Sequence, residues 1–189
     1  METKKINNMR QQIWDWKKEQ SGTDHLTEMV IKDPTICYTS EGMAKHLISL
    51  IEFKDGDKVM EPCFGDGAFY NNLPTNTENI YSEINMGVDY LTYNGEVDIT
   101  LSNPPFVPRK LFWSFHQKAM ETTRREIYWL INFSSLNVFT PNRVEEMDNK
   151  GWYIQNLHIV GDKRWFGRYA WVKFGRQPNN IISYHKKVF

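Results

Sequence analysis

An apolar run, Val97-Asp98-Ile99-Thr100-Leu101-Ser102, stops on Asn103-Pro104-Pro105-Phe106. Two consecutive prolines lack backbone N–H groups and have fixed φ, so they can neither continue a strand nor enter a helix interior. The residue ahead of each proline is driven toward extended backbone as well. The segment is therefore a short strand ending in a stiff corner that carries one amide and one aromatic ring, a costly arrangement for packing alone. A second constellation lies upstream, where Glu61-x-Cys63-x-Gly65-x-Gly67 follows Lys58-Val59-Met60. Glycines there allow a sharp turn or close backbone approach to a ligand. The G-x-G-x-x-G dinucleotide pattern fails because position 70 is Tyr, and the phosphate-loop pattern is absent. What remains is a site for a ligand with a ribose and little anionic charge. Glu83 stands 16 residues after Gly67, at the end of the next apolar run. A carboxylate so placed can accept hydrogen bonds from both ribose hydroxyls. Asp89, in Gly87-Val88-Asp89-Tyr90, sits where a third strand end could meet an adenine.

Strand ends must hold these residues. Strand-like apolar runs cover residues 58–60, 79–84, 97–101, 126–133, 152–160 and 169–174, with a last piece at 181–189. Helical spacing covers 110–122 and also 41–53, where Met43, Leu47, Leu50 and Ile51 share a side and Ser40 is the N-cap. Strands alternating with helices predict an α/β sheet that binds ligands at its carboxyl ends. The connections after Gly67 and Glu83 are short, so a doubly wound sheet here is a pared-down one.

The 189 residues amount to about one domain. No run approaches the ~18 apolar residues of a membrane span, and residues 127–133 are interrupted by Asn132. The first 20 residues are polar and mixed in charge, unlike a signal peptide, and read as a short helix or arm. Cys37 and Cys63 form no Cys-x-x-Cys pair, and the five histidines show no ligand spacing. A reduced, cytoplasmic protein without metal or membrane follows as the expectation. The formal net charge of zero hides an asymmetry: residues 1–99 hold 9 basic and 17 acidic side chains, residues 100–189 hold 14 and 6. A basic carboxyl-terminal half predicts an anionic partner.

Taken in order, Tyr38-Thr39-Ser40, EPCFGDGAF at 61–69, Glu83, Asp89 and SNPPF at 102–106 resemble the S-adenosylmethionine-dependent amino-methyltransferases of nucleic acid. The likeness is to adenine-N6 DNA methyltransferases of the gamma arrangement, in which cofactor motifs precede the catalytic motif; it covers roughly residues 36–135. It implies a Rossmann-like class I methyltransferase fold, mostly parallel with a C-terminal antiparallel strand. Residues 1–35 would be an N-terminal arm or helix, and 36–189 a single catalytic domain without a separate target-recognition domain.

The resemblance assigns Thr39, Glu61, Cys63, Gly65 and Gly67 to the methionine part of S-adenosylmethionine, Glu83 to its ribose and Asp89 to its adenine. Cys63-Phe64 departs from many relatives. Asn103, Pro104, Pro105 and Phe106 would be catalytic: an amide oxygen and a prolyl carbonyl draw on the N–H bonds of a conjugated amino group, and Phe106 stacks on a base flipped out of a duplex. Residues 161–180 interleave Lys163, Arg164, Arg168, Lys173 and Arg176 with Trp165, Phe166, Tyr169, Trp171 and Phe174. Cations mixed with flat rings suit a nucleic-acid groove, and Trp165 or Phe166 matches a second aromatic against the flipped base in related enzymes. The alternative for this stretch is a β-hairpin whose rings pack the sheet. DNA is the expected partner, with a recognition or activating subunit as a further one. RNA adenine, DNA cytosine-N4, protein glutamine, or a silent nucleic-acid-binding subunit are the other readings.

Overall fold

The computed structural model describes residues 38–161 and 167–178, all within one compact unit. Its centre is a six-stranded sheet. In chain order the strands are β1 (Lys58–Glu61), β2 (Glu78–Tyr81), β3 (Val97–Ser102), β4 (Thr123–Asn132), β5 (Tyr153–Val160) and β6 (Tyr169–Gly175). Their spatial order is β2-β1-β3-β4-β6-β5. The pairs β1–β2, β1–β3 and β3–β4 are parallel, and β6 is antiparallel to both β4 and β5. A mostly parallel sheet with an antiparallel carboxyl-terminal strand is the architecture the resemblance implied.

Helix α1 (Glu41–Ile48) starts where Ser40 accepts a hydrogen bond from the Met43 N–H, and it buries Ala44, Leu47 and Ile48. It stops short of the expected residue 53, since Ser49 donates back to the His46 carbonyl and the chain then turns through Gly56 at φ +77°. Helix α2 (Arg109–Thr122) runs straight into β4. Helix α3 (Pro141–Asn149) has proline in its first turn. That position suits proline, because the missing N–H would have no partner there.

The core on one sheet face joins Phe112, Trp113 and Met120 of α2 to Ile127, Trp129, Ile131, Val172 and Phe174 of the strands, with Trp152 and Met147. His116 is wholly buried among them, its Nδ1 accepting from the Trp129 indole at 2.9 Å. Burial pushes this imidazole down to about 3, so it stays neutral and serves packing. On the other face Trp171 is stacked between Phe69 and Tyr128, with ring centres 5.5 Å apart in each case. Phe69 thereby ties the glycine-rich turn to β6.

These contacts settle the reading of β6. Tyr169, Trp171 and Phe174 are core residues and not a groove lining. Lys173 pairs with Glu126 at 2.7 Å, while Arg176 donates to the carbonyls of Thr123, Arg124 and Lys150 and lies 3.8 Å over the Trp152 ring. Both cations are held by the protein. Lys173 lies in a strand flanked by neighbours on both edges, and Arg176, exposed just beyond that strand, is engaged by those three carbonyls.

Candidate functional site

The chain leaves β1 for β2 on one side, then returns to place β3 on the other side of β1. A crevice opens at the carboxyl ends of strands where their order reverses in this way. Glu61 ends β1 and Ser102 ends β3, so the two sequence constellations meet there. Ser102 Oγ donates to the Cys63 carbonyl at 3.4 Å, bridging the two strand ends.

The turn after β1 depends on its glycines. Gly65 has φ +58° and Gly67 φ +80°. A Cβ on Gly67 would also come within 2.7 Å of Asn71 Nδ2 and 2.8 Å of Phe64 Cζ, so a side chain there would be strained and would displace both neighbours. The Tyr38 ring packs over Gly65, where an added Cβ would meet it at 3.5 Å. Glu83 fastens this turn to the next loop: one carboxylate oxygen accepts the Gly65 N–H at 3.0 Å and the other the Asn85 N–H at 3.1 Å. A carboxylate has about four lone-pair sites, so roughly two remain for a ligand. The Val88 N–H returns to the Glu83 carbonyl at 3.1 Å, which keeps Asp89 close. Asp89 in turn accepts the Leu91 N–H at 2.9 Å.

Glu61 is 1 % exposed and accepts the Tyr70 N–H at 2.8 Å. Burial pushes its carboxyl up to about 9, with Asp66 and Glu83 adding repulsion. The acid is therefore neutral near pH 7, and a cation bound beside it would favour its ionised form. Thr39 Oγ1 accepts from Asn103 Nδ2 at 3.2 Å, which orients the amide. Pro104 is buried; Phe106 is half-buried, with its ring centre 6.2 Å from that of Tyr169. A cleft of about 330 Å³ flanks the turn, lined by Thr39, Glu41, Asp66, Gly67, Ala68, Asn71 and Asn72. That size is at the lower end for small-molecule pockets.

The structure brings Thr39, Glu61, Cys63, Gly65, Gly67, Glu83 and Asn103 to one crevice, with Phe106 beside Tyr169 of β6, while Asp89 caps the short turn Tyr90–Thr92. Arg168 is exposed, and its carbonyl accepts the Phe133 N–H at 2.9 Å. Lys163, Arg164, Trp165 and Phe166 lie outside the described residues. Sequence reasoning missed Asn71 and Phe133. Asn71 carries no local signal, because its place comes from the turn folding back on Gly67. Among the described residues no cluster of metal-ligating side chains exists, and no helix is long and apolar enough to cross a membrane.

No protein family profile matches the chain, and no curated protein matches it in sequence. In three dimensions the fold is that of the Rossmann-like class I methyltransferases. Magnesium protoporphyrin IX methyltransferase from Synechocystis, solved with bound S-adenosylmethionine, aligns over 72% of this chain and 79% of its own, at 9% identity and TM-score 0.58. The E. cuniculi Mtq2–Trm112 complex, described as responsible for methylation of the eRF1 termination factor, contains a chain matched over 98% of its length and 76% of this one, at 14% identity and TM-score 0.55. A protein from Pyrococcus horikoshii proposed to be an RNA methyltransferase aligns over 84% of its chain and 71% of this one, at 16% identity and TM-score 0.51.

Proposed function

We propose that this protein transfers a methyl group from S-adenosylmethionine to the exocyclic N6 amino group of adenine in DNA. The observation that carries the reading is Asn103, oriented by Thr39 at the end of β3, beside a turn clamped by Glu83. S-adenosylmethionine would supply the electrophilic methyl group. Glu83 would hold its ribose with the lone pairs that Gly65 and Asn85 leave over, Asp89 would accept from its adenine, and Thr39, Glu61, Cys63, Gly65 and Gly67 would surround the methionine part. Glu61 becomes an ionised partner for that cationic ligand once it is bound.

An adenine amino nitrogen is a poor nucleophile because its lone pair is delocalised into the ring. The Asn103 Oδ1 and the Pro104 carbonyl would accept its two N–H bonds and localise that pair, and the prolines hold both acceptors rigid. Oriented dipoles and positioning then carry the step; one amino proton leaves to solvent after transfer. Phe106 would stack on the target base. A partner subunit would supply sequence selectivity.

Adenine in RNA is the second reading, favoured by the structural likeness to the Pyrococcus protein. The test is transfer of labelled methyl to duplex DNA, single-stranded DNA, RNA and a glutamine-bearing peptide in parallel, with Asn103→Ala as control. Label on deoxyadenosine supports the proposal. Label on RNA adenosine moves it to the second reading, and label on glutamine or on nothing overturns it.

A further inference from the structure

The carboxyl edge of the sheet is polarised in charge. Loops after β1 and β2, residues 62–70 and 82–90, hold Asp66, Glu83 and Asp89 and no Lys or Arg. Described residues after β3 and β4 and leading into β6, 103–110, 133–140 and 167–168, hold Arg109, Lys110 and Arg168 and no Asp or Glu. All three cations are exposed, and none pairs with a described acid. A cationic ligand suits the first half and a polyanion the second.

The basic half also exposes apolar groups: Val107 at 79%, Phe133 at 38% and Ile159 at 68%. Phe133 is held in place by its surroundings. The Asn132 side-chain oxygen accepts from the Ser135 N–H and from both serine hydroxyls at 134 and 135, which fixes the turn. Phe133 N–H donates to Arg168, the neighbour of Tyr169, and Tyr169 is the ring beside Phe106. An exposed aromatic and an exposed cation are thus linked to the substrate side of the corner.

Phosphates attract the cations, whereas rings and methyls need base faces. A duplex hides those faces in its stack and offers only groove edges. An unpaired strand presents both, and stacking on an aromatic ring tolerates any base. We propose that this half of the edge binds a single-stranded polynucleotide, with Phe133 stacking on the nucleotide next to the target base and Arg109, Lys110 and Arg168 meeting its phosphates. The proposal rests on the nucleic-acid reading above and adds how the strand is presented.

The test is fluorescence anisotropy with a labelled twelve-nucleotide DNA carrying one adenine, alone and paired with its complement, and with RNA of the same sequence, between 50 and 200 mM salt. Single strands should bind at least tenfold more tightly than the duplex. Phe133→Ala should weaken single-strand binding about tenfold, Phe133→Trp should restore it, and the melting temperature and S-adenosylmethionine affinity should not move. Arg109→Glu with Lys110→Glu should reduce the salt dependence by about one to two contacts. The DNA and RNA arms tell the two sources of strand apart. Equal binding of duplex, or wild-type binding by Phe133→Ala, overturns the track while leaving adenine transfer intact. Failure of the wild type to bind any polynucleotide overturns the track and the nucleic-acid reading together.

Discussion

The two edges of the sheet use charge in opposite ways. At the edge where the parallel strands begin, acids and bases neutralise one another: Asp57 with Arg125, Lys58 with Glu78, Asp98 with Arg124, and Glu126 with Lys173. At the edge where they end, Glu61, Glu83 and Asp89 accept backbone N–H groups, while Arg109, Lys110 and Arg168 face solvent. The first arrangement closes the structure. The second keeps lone pairs of Glu83 and cationic heads available for a ligand, and it does so on the edge where strand order opens a crevice. Charge that the protein neutralises internally belongs to the fold; charge left over belongs to what binds.

Asn103→Ala is the strongest way to sharpen that contrast. It removes one of two acceptors from the reacting nitrogen, and methyl transfer should fall by about 10²–10³, as for loss of one preorganised dipole elsewhere. The melting temperature should hold within a few degrees. A variant that unfolds instead would make the corner a structural element and collapse the distinction. At the opposite edge, Arg125→Ala should do the reverse. Arg125 donates to both Asp57 oxygens, at 2.6 and 2.7 Å, and Asp57 is 5 % exposed. Removing the guanidinium strands a carboxylate held well below its usual range mainly by that bond. Denaturant unfolding should show a loss of about 3 kcal/mol, with turnover per folded molecule unchanged.

The same division decides what could be read in advance. The corner, the glycine turn and Glu83 were legible because prolines, positive-φ glycines and a carboxylate at a strand end each answer a local demand. The six described strands were legible too, within a few residues, while the piece expected at 181–189 lies outside the described residues. Helix α3 was overlooked although Thr140-Pro141 opens it, because its sequence is strongly polar and its burial comes down to Met147. The insertion of β6 between β4 and β5 is a matter of long-range pairing, which period-two patterning does not carry. For the same reason the aromatics and cations of residues 169–176 suggested a groove, whereas pairing on both edges puts those rings in the core and engages Lys173 and Arg176. Phe133 was invisible as a surface residue because it ends an apolar run and looks like its last buried member.

Glu61 tests the comparison from inside the crevice. Its folded-state pKa, about 9, lies above that of an unfolded glutamate, near 4.5. The folded protein therefore binds more protons than the unfolded chain between those values, and stability must fall as pH rises through that window. Glu61→Gln keeps an acceptor for the Tyr70 N–H but cannot ionise. Its stability curve should be flatter than that of the wild type, equal below pH 4.5 and ahead by about 2 kcal/mol at pH 8, since relaxation and water entry keep a burial penalty to several kcal/mol at most. Thermal unfolding at pH 5 and pH 8 reads the difference. Parallel curves would mean that Glu61 is already ionised and satisfied, and so behaves like the paired acids of the opposite edge. The smallest effect is expected there: Lys58→Gln, losing a half-exposed pair with Glu78 at 3.2 Å, should change stability by no more than about 1 kcal/mol. A larger loss would show that even the solvent-facing members of that edge act as a network, and that closure at one end of the sheet is what holds the other end open.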